Sequence, residues 1–278
     1  MKPLHTASAS EKRDFAHEIK FLVTEAVAES ALAWARKNLS PDPFAGGAIG
    51  DGYGVNSVYL DTAGFDVYHR KGSFGRCKYR VRRYGSEPAV FLERKLKTRG
   101  LVGKRRTRVA DHEIALLEHN TAEPDWIGYW FHRRLLARRL EPKCQIAYDR
   151  IARVGTAPEG PVRMTLDRNV RSFPTSQWQL NDSGPWQPLL THQCILEMKF
   201  RTSLPDLFKG IITQLGLQPL AMSKYRLSVQ TFGWDATRPP EPGVIGPVNG
   251  QVHPAVDSNH DVSRPLWADT LRRPPRLD

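Results

Sequence analysis

Basic side chains recur at every second position in one short stretch of the chain. Lys78, Arg80 and Arg82 alternate with less polar residues, and successive side chains of a β-strand point to opposite faces of a sheet. Arg grips phosphate oxygens by planar two-point contacts, and Lys binds them as a compact charge. The stretch therefore predicts a polyanion site on one face of a sheet.

A second predicted strand follows a turn at residues 85–88 and is charged in the same way. Glu93, Lys95 and Lys97 share one face. A glutamate among cations suits a bound metal ion, since carboxylate oxygens ligate hard divalent cations. The solvated face of an ordinary antiparallel sheet gives the same alternation, so the hairpin alone leaves both interpretations open. A further basic segment, Lys104-Arg105-Arg106, comes after it.

Other predicted strands follow the same rule, with one charged and one apolar face. They are Phe15–Val23, Val55–Thr62, Cys144–Val154, Val162–Val170 and Cys194–Arg201, and a last strand is predicted after a short basic turn near Lys224. The charged faces carry Glu18, Lys20, Tyr148, Arg150, Arg163, Asp167, Glu197 and Lys199. If helices cover the apolar faces, the charged faces point at one another. We expect an α+β fold, an antiparallel β-barrel tunnel with a polar, basic lumen and helices packed outside. An open sheet with one solvated face is the alternative.

Helical periodicity separates these strands. Thr24 is predicted to cap a helix over residues 25–39, further helices are predicted over 111–120 and 124–140, and Ser203 with Asp206 matches a capping box. The glycine-rich segment 46–54 lacks the order of a phosphate-binding loop and is predicted to be an ordinary loop. Three regions result: a flexible N-terminus at 1–13, one domain at 14–232, and a Pro/Gly-rich, disordered tail at 233–278.

Composition narrows the class of partner. The 278 residues include 41 Lys and Arg against 29 Asp and Glu, a formal charge of +12. This excess favours an anionic partner: nucleic acid, an acidic membrane surface or a phosphorylated molecule. Single-stranded RNA binders interleave aromatic and basic side chains on one face, whereas Tyr79 and Tyr84 fall on opposite faces. We therefore expect no specific nucleic acid.

The cysteines and apolar segments bear on localisation. The three cysteines show neither a CxxC pair nor a zinc-ligand spacing with histidine, which is typical of a reduced compartment. A run of 18 apolar residues, the minimum for a membrane span, is absent from the sequence. A cytoplasmic protein without membrane insertion is the expectation.

Eight short motifs occur along the chain in the order that is typical of one known family. The chain resembles the VTC domain, the polyphosphate polymerase domain of the vacuolar transporter chaperone complex and its bacterial relatives, in the triphosphate tunnel (CYTH-like) superfamily. The resemblance covers residues 14–232. It is carried by His17-Glu18-Ile19-Lys20-Phe21, Ser57-Val58-Tyr59-Leu60-Asp61-Thr62, residues 78–85, Phe91-Leu92-Glu93-Arg94-Lys95, Tyr148-Asp149-Arg150, residues 162–167, Leu196-Glu197-Met198-Lys199 and Ser223-Lys224-Tyr225.

The resemblance implies an enzyme. It would transfer the terminal phosphoryl group of ATP to a growing inorganic polyphosphate chain held in the tunnel, with Mn²⁺ or Mg²⁺ as cofactor. The family motifs place the catalytic phosphate contacts at Lys20, Arg80, Arg82, Lys95, Arg150 and Arg163, and the metal ligand at Glu197. Further substrate-binding candidates are Glu18, Lys78, Glu93, Lys97, Lys104, Tyr148, Lys199, Ser223 and Lys224.

The first motif of this chain differs from that of other branches of the superfamily. Tunnel hydrolases and cyclases typically open with ExExK, and Ala16 stands at the first of those glutamates. This favours the polymerase branch. A metal-dependent tri- or polyphosphatase with the same tunnel, and a non-catalytic module that binds polyphosphate or RNA, are the alternatives. Protein partners are left open.

Overall fold

The structure, a computed structural model, describes residues 17–42, 45, 50–98 and 101–234. Its strands are β1 (His17–Thr24), β2 (Ser40–Pro41), β3 (Gly52–Asp61), β4 (Cys77–Tyr84), β5 (Ala89–Thr98), β6 (Leu101–Ala110), β7 (Glu141–Ala157), β8 (Gly160–Pro174), β9 (Gln187–Pro188) and β10 (Gln193–Phe200). Its α-helices are α1 (Glu25–Asn38), α2 (Tyr129–Arg138), α3 (Asp206–Gln214) and α4 (Lys224–Thr231), with 3₁₀ helices at Gly72–Arg76 and Asp111–Glu118. The predicted N-terminus at 1–13 and tail residues 235–278 lie outside the described residues.

All strands join one antiparallel sheet in the order β1-β10-β8-β7-β3-β4-β5-β6, with β2 beside β7 and β9 beside β8. The sheet curls until Glu18 on β1 meets Lys95 on β5, whose ammonium group lies 2.7 Å from the carboxylate. Within the described strands no backbone ladder joins β1 to β6. Instead the Leu220 N–H donates to the Lys20 carbonyl at 2.8 Å along the free edge of β1. The α+β tunnel is confirmed, although the ladder does not close.

The convex side of the curled sheet is apolar and lies under helices. α1 buries Ala28, Ala31, Leu32 and Ala35, a spacing that places all four on one helical face. Thr24 caps this helix as predicted, because its hydroxyl accepts the Val27 N–H at 3.4 Å. α1 thus covers part of the apolar face of the strands, and the alternating charged face is left on the concave side.

The start of α3 differs from the prediction. Pro205 is the N-cap residue and Asp206 is the first helical residue, so Ser203 forms no capping box with Asp206. The Asp206 N–H instead donates to the Glu159 carboxylate at 3.2 Å. A side chain from the β7–β8 turn, distant in sequence, therefore satisfies a helix-terminal donor that local sequence was expected to satisfy.

The predicted final strand is wrong: residues 224–231 form α4. Ser223 caps it by accepting the Arg226 N–H at 3.4 Å, and Tyr225, Ser228 and Val229 are its buried residues. These positions follow helical spacing. The segment was too short for the sequence to distinguish helical periodicity from strand periodicity, and the strand prediction was therefore wrong.

α4 lies against the concave side of the sheet. The Tyr225 ring stacks on Tyr59 with centroids 5.7 Å apart, and the Ser228 hydroxyl lies 2.7 Å from that of Ser172. The Tyr225 hydroxyl donates to the buried carboxylate of Asp61 at 2.6 Å. The helix therefore fills the end of the tunnel that these residues line.

Smaller differences concern element type. Residues 52–54 of the predicted glycine-rich loop belong to β3, the basic segment Lys104-Arg105-Arg106 lies within β6, and the helix predicted at 111–120 is a 3₁₀ helix. Trp234, beyond the predicted domain end, stacks on Phe232 with ring centroids 5.3 Å apart. Among the helices of the described residues, none is long and apolar enough to cross a membrane.

Candidate functional site

Strand register brings the predicted site residues together on the concave face. Lys20 of β1 is paired with Glu197 of β10, and Lys78, Lys95 and Lys104 are successive partners across β4, β5 and β6. Side chains that are paired across neighbouring strands lie on the same face of a sheet. Residues from opposite ends of the sequence thereby form one charged surface inside the tunnel.

Two carboxylates and three lysines form the first part of this surface. Glu18 contacts Lys95 at 2.7 Å, Lys20 at 3.2 Å and Lys199 at 3.9 Å. Glu197 contacts Lys199 at 2.9 Å and Lys20 at 3.5 Å. Each carboxylate is therefore shared between lysines, and positive charge remains in excess.

The pKa values reflect this crowding. Burial and Glu197 act to raise the pKa of Glu18, but Lys20, Lys95 and Lys199 outweigh them and lower it to about 2. Burial lowers the pKa of Lys95 to about 8, with Glu18 opposing the shift and Lys20 adding to it. Glu18 is thus charged at neutral pH, and an approaching anion would raise the pKa of Lys95 back towards its ordinary value.

Glu93 organises the second part. Its carboxylate accepts from Arg80 Nε at 2.7 Å and pairs with Lys104. Arg80 Nη1 also donates to the Tyr59 hydroxyl at 3.0 Å. Burial acts to raise the pKa of Glu93, but Arg80 and Lys104 hold it well below its usual range. Glu93 is thereby an internal counter-ion that fixes two cations in place.

Arg82 differs from its neighbours because the described residues give its guanidinium no carboxylate partner. It is 3% exposed, its Nε donates to the Ser57 hydroxyl at 2.8 Å, and its Nη2 is buried without a hydrogen-bond partner. Its guanidinium carbon lies 5.7 Å and 5.9 Å from the ring centroids of Tyr84 and Tyr148. A buried guanidinium with a free donor is suited to an anionic ligand.

Asp167 organises the third part. Arg150 binds it in a two-point contact, with Nε 2.6 Å and Nη2 2.7 Å from the two oxygens. Lys224, at the start of α4, lies 2.5 Å from the same carboxylate and 4.4 Å from the Tyr148 ring centroid. The helix missed by the sequence prediction is therefore what brings Lys224 into the tunnel.

The remaining predicted residues are placed as follows. Arg163 donates to Asp42 at 3.0 Å and to the Tyr53 hydroxyl at 3.1 Å, so it sits at the end of the tunnel away from α4. Lys78 donates to the Ser223 hydroxyl at 2.7 Å. The side chain of Lys97 lies outside the described residues. Apart from Lys97, the predicted residues thus all lie on the concave side of the sheet.

Comparison with known proteins assigns the family. The sequence pattern of the VTC domain matches residues 15–232, which is most of the chain. The chain belongs to the VTC domain family. Together with the basic tunnel, this supports a tunnel-fold enzyme with phosphate chemistry. No curated protein sequence is significantly similar to this VTC domain.

Several solved structures are similar to parts of this chain at low sequence identity. A candidate adenylate cyclase from Bacillus halodurans is 13% identical, with a TM-score of 0.47 over 76% of this chain and 95% of its own. A Hippeastrum protein described as an adenylyl cyclase with dominant triphosphatase activity is 13% identical, with a TM-score of 0.45 over 79% and 95%. A Pyrococcus horikoshii protein is 13% identical, with a TM-score of 0.40 over 76% and 97%.

The acidic residues of this VTC domain fit a divalent metal that arrives with phosphate. Within the described ranges, no group of three or more His, Cys, Asp or Glu could hold a metal alone. Glu18 and Glu197 nevertheless approach the same lysine, Lys20, at 3.2 Å and 3.5 Å. Mg²⁺-type ions are commonly bound by one or two carboxylates plus substrate phosphate oxygens. The donor set therefore suits a hard cation completed by the substrate.

Three uncharged residues of the site were not among the predicted site residues. Ser57, Tyr59 and Tyr84 all face the tunnel beside Arg80 and Arg82. Burial acts to raise the pKa of Tyr84, but Arg82 and Lys104 outweigh it and lower that pKa to about 7. Strand alternation around Ser57 and Tyr59 was the available signal, and it carried no charge to single these residues out.

Proposed function

We propose that this VTC domain is a metal-dependent polyphosphate polymerase that uses ATP. The observation that carries the proposal is the excess of buried positive charge. Glu18, Glu93, Asp167 and Glu197 are already engaged by lysine or arginine, yet further cations remain on the same face. Polymerisation must hold two polyanions close together, which demands more positive charge than binding one triphosphate.

The chemistry needs positioning and charge neutralisation. An oxygen of the terminal phosphate of the growing chain attacks the γ-phosphorus of ATP, a new P–O–P bond forms, and the β–γ bridging bond breaks to release ADP. The attacking oxygen is already ionised at neutral pH, so no protein base is required. Arg80, Arg82 and Arg150 would bear the charge on the transferring group, since phosphoryl transfer depends chiefly on electrostatic stabilisation. A divalent metal, when bound, would add neutralisation of the phosphate oxygens.

The product pattern tests the function. Purified protein incubated with ATP and Mn²⁺ should release ADP and form chains longer than three phosphates, with short polyphosphate primers shortening any lag. Gel electrophoresis with a polyphosphate stain resolves these chains, and a parallel phosphate assay counts free orthophosphate. Orthophosphate as the sole product, with or without primer, would contradict the proposal.

A metal-dependent triphosphatase is the second candidate, and α4 is the observation that favours it. A tunnel filled at one end by Tyr225 and Ser228 accommodates a triphosphate, whereas a growing chain must leave by the open end. A hydrolase yields orthophosphate from ATP or tripolyphosphate regardless of primer. Tight tripolyphosphate binding without either product would instead indicate a binding module.

Glu197 is proposed to hold the metal, and Glu197→Gln tests this role. Glutamine keeps the shape and removes the charge. Mn²⁺-dependent turnover should therefore fall by about tenfold to 100-fold. Metal-free binding of tripolyphosphate should persist or tighten, because the basic site that binds this anion loses a negative charge. Glu141→Gln is the matched control, since Glu141 forms a surface ion pair with Lys143 at 2.5 Å. Parent-like turnover of Glu197→Gln at limiting Mn²⁺ would remove the assignment.

A further inference from the structure

A second group of basic side chains lies on the convex side of the sheet, outside the tunnel. Tyr79 and Arg94 are direct partners across β4 and β5, and both alternate with residues that face the tunnel. α2 packs over them, with the Phe131 ring centroid 6.1 Å from that of Tyr79. Arg134 and Arg138 of α2 are one helical turn apart, so they project from the same face of the helix.

The positive charges of these three arginines act on the Tyr79 hydroxyl. Arg138, Arg134 and Arg94 each act to lower the pKa of Tyr79, although burial and Cys77 raise it overall. The phenol is therefore protonated at neutral pH and is available as a donor. Arg138 is also held in place by Phe74, whose ring centroid lies 4.8 Å from its guanidinium carbon. The group is thus a packed arrangement on the helix, the strands and the neighbouring 3₁₀ helix.

Several donors in this group have no acceptor. Tyr79 is 1% exposed, and its hydroxyl, Arg94 Nε and Arg138 Nη1 are all buried without hydrogen-bond partners in the structure. Among the described residues, no carboxylate forms an ion pair with Arg94, Arg134 or Arg138. Leaving buried donors unpaired is costly, and like charges placed together add to the cost. A site made of donors and positive charge alone is complementary to an oxyanion.

We propose that Tyr79, Arg94, Arg134 and Arg138 form a second phosphate-binding site outside the tunnel. The ligand is a phosphate oxyanion, supplied by free orthophosphate or by a segment of a polyphosphate chain. Each planar guanidinium group can donate two hydrogen bonds to the oxygens of a phosphate. The Tyr79 hydroxyl supplies a neutral donor at the base of the site. Because the site faces away from the tunnel, it does not depend on the reaction proposed there.

Calorimetric titration tests the second site. The chain used carries Arg82→Met, which weakens the binding of phosphate ligands in the tunnel. Orthophosphate and long-chain polyphosphate are titrated separately. We expect residual binding that falls at least about tenfold when Arg134→Met and Arg138→Met are added, since each removes a charge-assisted contact. Binding of both ligands identifies a compact phosphate site, and binding of polyphosphate alone identifies a chain-binding site.

The matched control is the pair Arg133→Met and Arg139→Met. Both arginines are exposed on or next to α2, so this pair removes the same charge without touching the site, and affinity should stay within about twofold. Thermal melting at low salt without phosphate provides a second readout. Arg138→Met should melt at the parent temperature or higher, because it removes a half-buried cation that has no carboxylate partner among the described residues. Equal loss of binding in both pairs, no binding of either ligand, or a large loss of stability in Arg138→Met would overturn the proposal.

Discussion

Replacing Arg82 with methionine should weaken tripolyphosphate binding by about 10-fold to 150-fold, the range set by losing one charged hydrogen bond of about 1.5–3 kcal/mol. Arg82 is buried, and its only described side-chain acceptor is the Ser57 hydroxyl at 2.8 Å. Its free Nη2 donor is therefore available to substrate. Methionine retains much of the apolar volume, and no carboxylate loses its partner, so the free energy of unfolding should be unchanged or higher. Calorimetry and urea denaturation measure the two quantities.

Arg83 provides the control for this change. It is the next residue on β4, it points to the opposite face, and it pairs with Asp182 at 2.5 Å. Arg83→Met removes the same charge from the same strand, and tripolyphosphate affinity should remain within about twofold because the charge lies outside the tunnel. If Arg82→Met binds like the parent, or if both variants weaken equally, Arg82 has no direct contact with the anion.

Replacing Asp167 with asparagine should lower the free energy of unfolding by about 3–5 kcal/mol, the usual cost of breaking a buried ion pair. Asp167 is 1% exposed and is bound by Arg150 at 2.6 Å and Lys224 at 2.5 Å. Burial acts to raise its pKa, but these two cations lower it to about 2. A carboxyl group whose pKa is lowered on folding stabilises the folded protein at every pH above the ordinary pKa of that group. This stabilisation is lost as the pH falls towards 2. The contribution is therefore fully present at neutral pH.

Tripolyphosphate should partly rescue Asp167→Asn, because the anion takes the place of the lost charge beside Arg150 and Lys224. The melting temperature of the variant should rise more with ligand than that of the parent. Asp206→Asn is the control: Asp206 has an 87% exposed side chain and pairs with Lys209 at 2.8 Å, an exposed contact whose loss changes stability by about 0.5 kcal/mol. Equal destabilisation by both substitutions would contradict the role given to Asp167.

Alternation of charge predicted the faces of β1, β4, β5, β8 and β10 because a charged tunnel and an apolar exterior differ sharply in polarity. The same contrast placed Lys20, Glu197 and Lys95 on charged faces that were expected to point at one another. It could not predict α4, since residues 224–231 are compatible with either period and the concave space that α4 fills exists only after the sheet has formed. Tertiary packing decided the element type.

Pairings between distant segments were also beyond the sequence. Arg163 is bound by Asp42, which follows α1, and α3 is capped by Glu159 from the β7–β8 turn. In both cases the partner is set by where loops fall around the tunnel, and no local pattern encodes that placement. Tyr59 and Tyr84 were missed for another reason, since an aromatic side chain on a strand is equally typical of a core.

The two edge strands of the sheet, β1 and β6, meet at a seam where, within the described residues, the wall of the tunnel is not hydrogen-bonded strand to strand. A closed barrel has a girth fixed by its strand number and stagger, and a long polymer can enter it only end first. Across this seam the described strands share no backbone ladder, and the Glu18–Lys95 ion pair spans the gap as a side-chain clasp. Its strength depends on ionic strength and on the charge of Lys95, whereas a hydrogen-bonded ladder depends on neither. At this seam the width of the tunnel is therefore held by side-chain and loop contacts, including the hydrogen bond from the Leu220 N–H to the Lys20 carbonyl, and not by a strand ladder.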